Sequence, residues 1–82
     1  MENWIETDNK LYRKFKFDSF SRAILFMSTA AEKIDALDHH PEWKNVYNRV
    51  EVWLCTHSEG NVITKKDREL AAILDKIYEE LT

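Results

Sequence analysis

The chain has 82 residues, 44% of them hydrophobic and 33% charged, with a formal net charge of −3 and a pI near 5.6. A chain this short is one domain, residues 1–82, that buries roughly 60% of its unfolded surface, and its composition argues against disorder. The acidic balance argues against direct nucleic-acid binding, and the single cysteine, Cys55, cannot form an internal disulfide. No apolar run approaches the ~20 residues of a membrane span, and Met1-Glu2-Asn3-Trp4 lacks the basic and apolar leader of an exported chain. A cytoplasmic protein without membrane contact is the expectation.

Trp4-Ile5-Glu6 and Leu11 to Phe17 read as two strands around the turn-forming Thr7-Asp8-Asn9. Leu11, Phe15 and Phe17 share one parity, and Tyr12, Lys14 and Lys16 the other, with Arg13 breaking the apolar face. Asp18 or Ser19 can cap a helix that runs to about Leu37, with Phe20, Ile24, Met27, Ala31 and Ile34 as its core stripe. Leu25 and Phe26 fall off that stripe, and either widen the buried face or meet a neighbouring subunit.

Beyond Pro41, Asn45-Val46-Tyr47, a two-residue link Asn48-Arg49 and Val50 to Thr56 read as a hairpin. Val50, Val52 and Leu54 point one way; Glu51, Trp53, Cys55 and His57 point the other. Thr64-Lys65-Lys66-Asp67 has the spacing of a capping box, and Leu70, Ile73, Leu74, Ile77 and Leu81 follow as an amphipathic stripe. The order ββαββα predicts an α+β fold, a four-stranded antiparallel sheet with its helices packed on one face.

Chemistry concentrates between these elements. All three histidines, His39, His40 and His57, fall within one short window, and Pro41 sets the first two in a rigid bend after the helix. Imidazole is the side chain that exchanges protons near neutral pH. Three readings compete: solvated loop histidines, a three-imidazole zinc site, and metal-free acid–base catalysis with Glu42 and Asp38 near enough in sequence to orient a ring. Adjacent ligands on a rigid bend are awkward to bring onto one ion, which favours the third. Nucleophilic catalysis by Ser28, Ser58 or Cys55 is disfavoured by their placement. Trp43 suits either a flat ligand or the core, and Asp67 suits a helix cap.

The residues Asp38-His39-His40-Pro41, Tyr47, His57 and Asp67 resemble the signature of the pterin-4a-carbinolamine dehydratases. The similarity extends to Leu11-Tyr12-Arg13-Lys14-Phe15-Lys16-Phe17, Phe26-Met27 and Pro41 to Asn48, and covers nearly the whole chain from Trp4. The resemblance implies an enzyme that removes water from 4a-hydroxytetrahydropterin to give quinonoid dihydropterin, recycling the cofactor of aromatic amino acid hydroxylases. It implies no metal and no organic cofactor. His39 and His57 would protonate the departing hydroxyl, and His40 would bind the pterin and act as base. Asp38, Pro41, Glu42 and Trp43 would edge the substrate, with Asp35 and Asp67 in support. Asp35 stands where the family commonly has glutamate, and the Gly60-Asn61-Val62-Ile63 loop is one residue longer than in close relatives. The resemblance further implies a homodimer or homotetramer meeting through an apolar surface such as Leu25 and Phe26. A non-catalytic binding, assembly or transcription-coactivator module on the same fold is the alternative.

Overall fold

The computed structural model describes residues 3–82. Strands β1 (Ile5–Thr7), β2 (Lys10–Lys16), β3 (Glu42–Val46) and β4 (Arg49–Leu54) form one antiparallel sheet in the order β1-β2-β4-β3. Helices α1 (Phe20–Leu37) and α2 (Lys65–Leu81) complete the expected ββαββα order. Asp8 and Asn9 make the first tight turn, both at positive φ (50° and 62°), a conformation that short polar side chains tolerate.

The alternation seen in the sequence sets the two faces of the sheet. Leu11, Phe15, Val50, Val52 and Leu54 are fully buried beneath the helices, with Phe17 just beyond β2. Arg13 shares their face, and its charge is answered there. The guanidinium lies 2.5 Å from Asp75 of α2 and 4.3 Å from the centre of the Phe15 ring. The indole N–H of Trp4 donates to the same carboxylate at 2.8 Å, so Asp75 fastens α2 to two segments distant in sequence. On the open face the register lines up Ile5, Tyr12, Trp53 and Glu42 in one row and Lys14, Glu51 and Lys44 in the next.

Four expectations are corrected. The buried stripe of α1 is Ala23, Phe26, Ala30 and Ile34, whereas Phe20, Ile24 and Leu25 are 50%, 40% and 41% exposed. Phe26 sits 4.7 Å from Phe15 and 5.2 Å from Phe17 between ring centres, in the middle of the core, so it is closed to any second subunit. The β3–β4 link is Tyr47-Asn48, one residue earlier than Asn48-Arg49, because Val46 pairs with Arg49 and Tyr47 takes the positive φ of 52°. Asn48 instead ties the turn to the end of β2: its amide donates to the Phe17 carbonyl at 2.9 Å, and its carbonyl accepts from the Phe17 N–H at 2.9 Å. Strand β4 also stops at Leu54; Thr56 continues only as an isolated bridge to Val62.

Two measurements check this layout. Phe26→Ala should cost about 3–5 kcal/mol in urea unfolding and Leu25→Ala under about 1 kcal/mol, since only the first opens a cavity. The hydrogen bond from Tyr12 to Glu51 (2.6 Å), then partial burial, then the Glu51 charge push the phenol from 10.0 up to about 12. Its stabilising effect is complete below pH 10 and is lost as pH rises towards about 12, where the unfolded chain ionises first. Stability measured over that window should fall in the wild type, and the part of the slope due to Tyr12 should vanish in Tyr12→Phe.

Candidate functional site

Helix α1 ends as the sequence requires. Asp38 adopts the left-handed conformation (φ 53°), its N–H bonds to the Asp35 carbonyl at 3.1 Å, and the N–H of His39 reaches back to the Ile34 carbonyl at 3.4 Å. These two bonds satisfy carbonyls that would otherwise be orphaned at the helix end, and they fix the backbone of His39. Asp38 thus serves the helix stop through its main chain. The His39 and His40 rings leave this corner in different environments, the first 10% and the second 57% exposed.

The Nε2 atom of His39 lies 2.6 Å from Oδ1 of Asp67, which is completely buried at the start of α2. The other oxygen of Asp67 accepts the Thr64 N–H at 2.8 Å, closing the capping box foreseen in the sequence. It also accepts the Thr56 hydroxyl at 2.8 Å, and Thr56 and Thr64 hydroxyls are 2.6 Å apart. One carboxylate therefore starts a helix and orients an imidazole. Thr56 is 2% exposed, and its backbone bonds with Val62 (2.8 Å) and Asn61 (3.0 Å) set the short 3-10 turn His57–Glu59 that follows. His57 opens that turn at the surface, with Nδ1 2.5 Å from Oδ1 of Asn61. His40 is 3.1 Å from Asp35, one turn back on α1, so the shorter aspartate still reaches an imidazole. That pair is solvent-exposed and worth little in stability.

Asp67 and Asp35 are the carboxylates within hydrogen-bond distance of an imidazole. Glu42 lies on the open face of the sheet in an ion pair with Lys10 at 2.9 Å. Trp43 projects to the opposite face, in register with Val52 and half-buried against the core. Thr56, Thr64 and Asn61 are the residues that the sequence reading passed over; nothing but the capping spacing of Thr64 marked any of them. Beside the network, Thr56, Glu59, Thr64, Lys65 and Lys66 line a hollow of about 290 Å³, and the three imidazoles lie outside it. His39 and His57 are linked through Asp67 and Thr56, while His40 stands apart on Asp35. Among the described residues, no three His, Cys, Asp or Glu side chains converge as a metal-binding group.

The energetic split between these groups is measurable. Asp67→Ala removes a helix cap and strands the buried Thr56 hydroxyl, and should cost about 2–4 kcal/mol in chemical unfolding. His40→Ala should stay within about 0.5 kcal/mol of wild type, as expected for an exposed pair.

The sequence family described as pterin 4 alpha carbinolamine dehydratase matches residues 1–77. A protein of Solibacter usitatus, provisionally named a pterin-4-alpha-carbinolamine dehydratase, is 49% identical over 74 residues, covering 90% of this chain and 77% of its own. One of the same provisional name from Opitutus terrae is 46% identical over 77 residues, covering 94% and 79%. The crystal structure of a transcriptional coactivator/pterin dehydratase from Brucella melitensis superposes with a TM-score of 0.90 at 45% identity, covering 95% of this chain and 84% of that one. A pterin dehydratase-like protein identified as a RuBisCO assembly factor in the alpha-carboxysome shares the fold at TM-score 0.79 and 22% identity, over 93% and 89% of the two chains. With its α+β fold and the match over residues 1–77, this chain belongs to the pterin 4 alpha carbinolamine dehydratase family.

Proposed function

We propose that the chain is a hydro-lyase that eliminates water from 4a-hydroxytetrahydropterin to give quinonoid dihydropterin by histidine acid–base catalysis. The observation that carries this reading is the His39 imidazole held 2.6 Å from a buried carboxylate that also binds Thr56, the residue preceding His57. A ring fixed this way is suited to proton transfer and costs little reorganisation when the reaction occurs. Two acids, one held by Asp67 and the other following Thr56 in the chain, fit the chemistry: the 4a-hydroxyl departs as water once protonated, and the adjacent ring N–H gives up its proton as the C=N bond forms. Groups that titrate near neutrality serve both steps. His39 and His57 act as acids toward the hydroxyl, and His40, exposed beside Asp35, binds the pterin and takes the ring proton. Asp38, Pro41, Glu42 and Trp43 edge the substrate, and Asp35 and Asp67 support the rings. Among these, Glu42 has the least geometric support, since its carboxylate is engaged by Lys10 on the far face.

Neither a metal nor an organic cofactor takes part. The chain works in the cytoplasm as a homodimer or homotetramer, in functional linkage with an aromatic amino acid hydroxylase whose spent pterin it dehydrates. Among the described residues no helix is long and apolar enough to cross a membrane. The exposed Phe20, Ile24 and Leu25 on α1 supply an apolar strip for contact between copies. The same strip favours the second reading, a non-catalytic binding or assembly module, with which the coactivator/dehydratase name of the Brucella melitensis relative is compatible.

Stopped-flow dehydration of the carbinolamine, with a pterin titration alongside, tests the proposal. Turnover in the wild type and a drop of at least ~100-fold in His39→Ala and in His57→Ala, with the fold retained, is the expected result. Binding without turnover would transfer support to the second reading. Chelator treatment should leave the rate unchanged; a loss restored by zinc would replace imidazole catalysis with metal chemistry.

A further inference from the structure

The hydrogen bonds around Asp67 run towards its carboxylate from two sides. The Lys66 N–H donates to the Thr64 hydroxyl oxygen at 3.3 Å. The Thr64 N–H and the Thr56 hydroxyl both lie 2.8 Å from Oδ2 of Asp67. A hydroxyl has a single proton. Once Thr56 gives its proton to Asp67, its oxygen can only accept from Thr64, the other hydroxyl at 2.6 Å. Both donors to Oδ2 treat Asp67 as an acceptor, and a carboxylate that accepts on one oxygen is free to accept on the other. The remaining oxygen, Oδ1, faces Nε2 of His39 at 2.6 Å. Imidazole is ordinarily the stronger base of the two, which places the proton between them on Nε2.

We propose that Thr56 is a positioning residue: through Asp67 it holds His39 in the Nε2–H tautomer, so that Nδ1 is the atom that exchanges a proton with substrate. The site is then asymmetric. His57 has Nδ1 2.5 Å from the side-chain Oδ1 of Asn61, so its Nδ1–H is the donor there and Nε2 is the nitrogen it presents. Two imidazoles serving the same hydroxyl would act through opposite nitrogens. Among the described residues, Nδ1 of His39 makes no hydrogen bond, which leaves it available for this purpose. Valine at position 56 would keep the β-branched shape but deprive Asp67 of one donor and leave Thr64 without its acceptor. Asp67 would then be freer to turn, and the imidazole would lose its single orientation. Serine would keep the hydroxyl and the whole chain of donors. The catalytic part of this inference rests on the dehydratase reading; the tautomer does not.

The test uses 15N-labelled full-length protein in long-range 1H–15N correlation spectra at a pH where the imidazoles are neutral, since the nitrogen shifts separate the two tautomers. The expected wild-type result is Nε2–H at His39 and Nδ1–H at His57. T56V should show a mixed population at His39 and a kcat for carbinolamine dehydration about 10-fold lower at unchanged KM, because the loss concerns a group used in the transition state. T56S should return both readouts to within about 2-fold of wild type. Nδ1–H at His39 in the wild type would overturn the inference, and so would T56V with the wild-type spectrum and rate. A wild type that shows the expected tautomers, mixed in T56V, but has no dehydratase activity would support the positioning role and remove only the dehydratase reading.

Discussion

One buried carboxylate holds this structure and its chemistry together. Asp67 starts α2 by accepting the Thr64 N–H, binds the hydroxyl that precedes His57, and faces the ring of His39 from across the chain. A charged group with no exposed surface is tolerated only when its lone pairs are answered by donors, and here three donors converge on it. The same requirement makes the site rigid. The donors come from the helix terminus, the end of β4 and the corner after α1, and each that withdraws leaves part of the buried carboxylate unanswered.

The outer residues of the site obey a different economy. His40 and Asp35 sit largely in water, as does His57, so their placement adds little to folding stability. Their backbones are nevertheless set firmly. Asp38 in its left-handed conformation ends α1 and delivers His39 and His40 at one point, while Gly60 (φ 89°) and Asn61 (φ 61°) close the turn that carries His57. Stiffness in these loops comes from main-chain hydrogen bonds, which leaves the exposed side chains free to meet a ligand.

Much of this was legible in the sequence because the signals were local. Alternation in Leu11 to Phe17 and Val50 to Leu54 gave the two central strands, Ser19 the first helix start, and Thr64 with Asp67 the second. What was misread depended on packing. The α1 stripe was centred about one residue away because Phe20 and Ile24 stand out by hydrophobicity, whereas Ala23 and Ala30 are buried but too small to draw attention. Asn48 has the stronger preference for a positive φ, yet the register of Val46 with Arg49 places Tyr47 in that position. At the site, Asp67 could be recognised as a cap; that its second oxygen meets an imidazole 28 positions away could not be read from spacing. Thr56 and Asn61 left no trace, since a hydroxyl or amide acquires meaning only from what the fold sets beside it.

The attachment of α2 has a consequence for how the protein comes into being. This helix follows in sequence every segment it is anchored to, and its two carboxylate anchors reach partners far upstream: Asp75 to Trp4 and Arg13, 71 and 62 positions away, and Asp67 to His39. Contacts across such separations form only after the intervening chain has been gathered in. Until then the nascent protein carries all its histidines but lacks the partner that orients the first of them. The corner that presents His39 is thus completed only when α2 closes against the upstream elements.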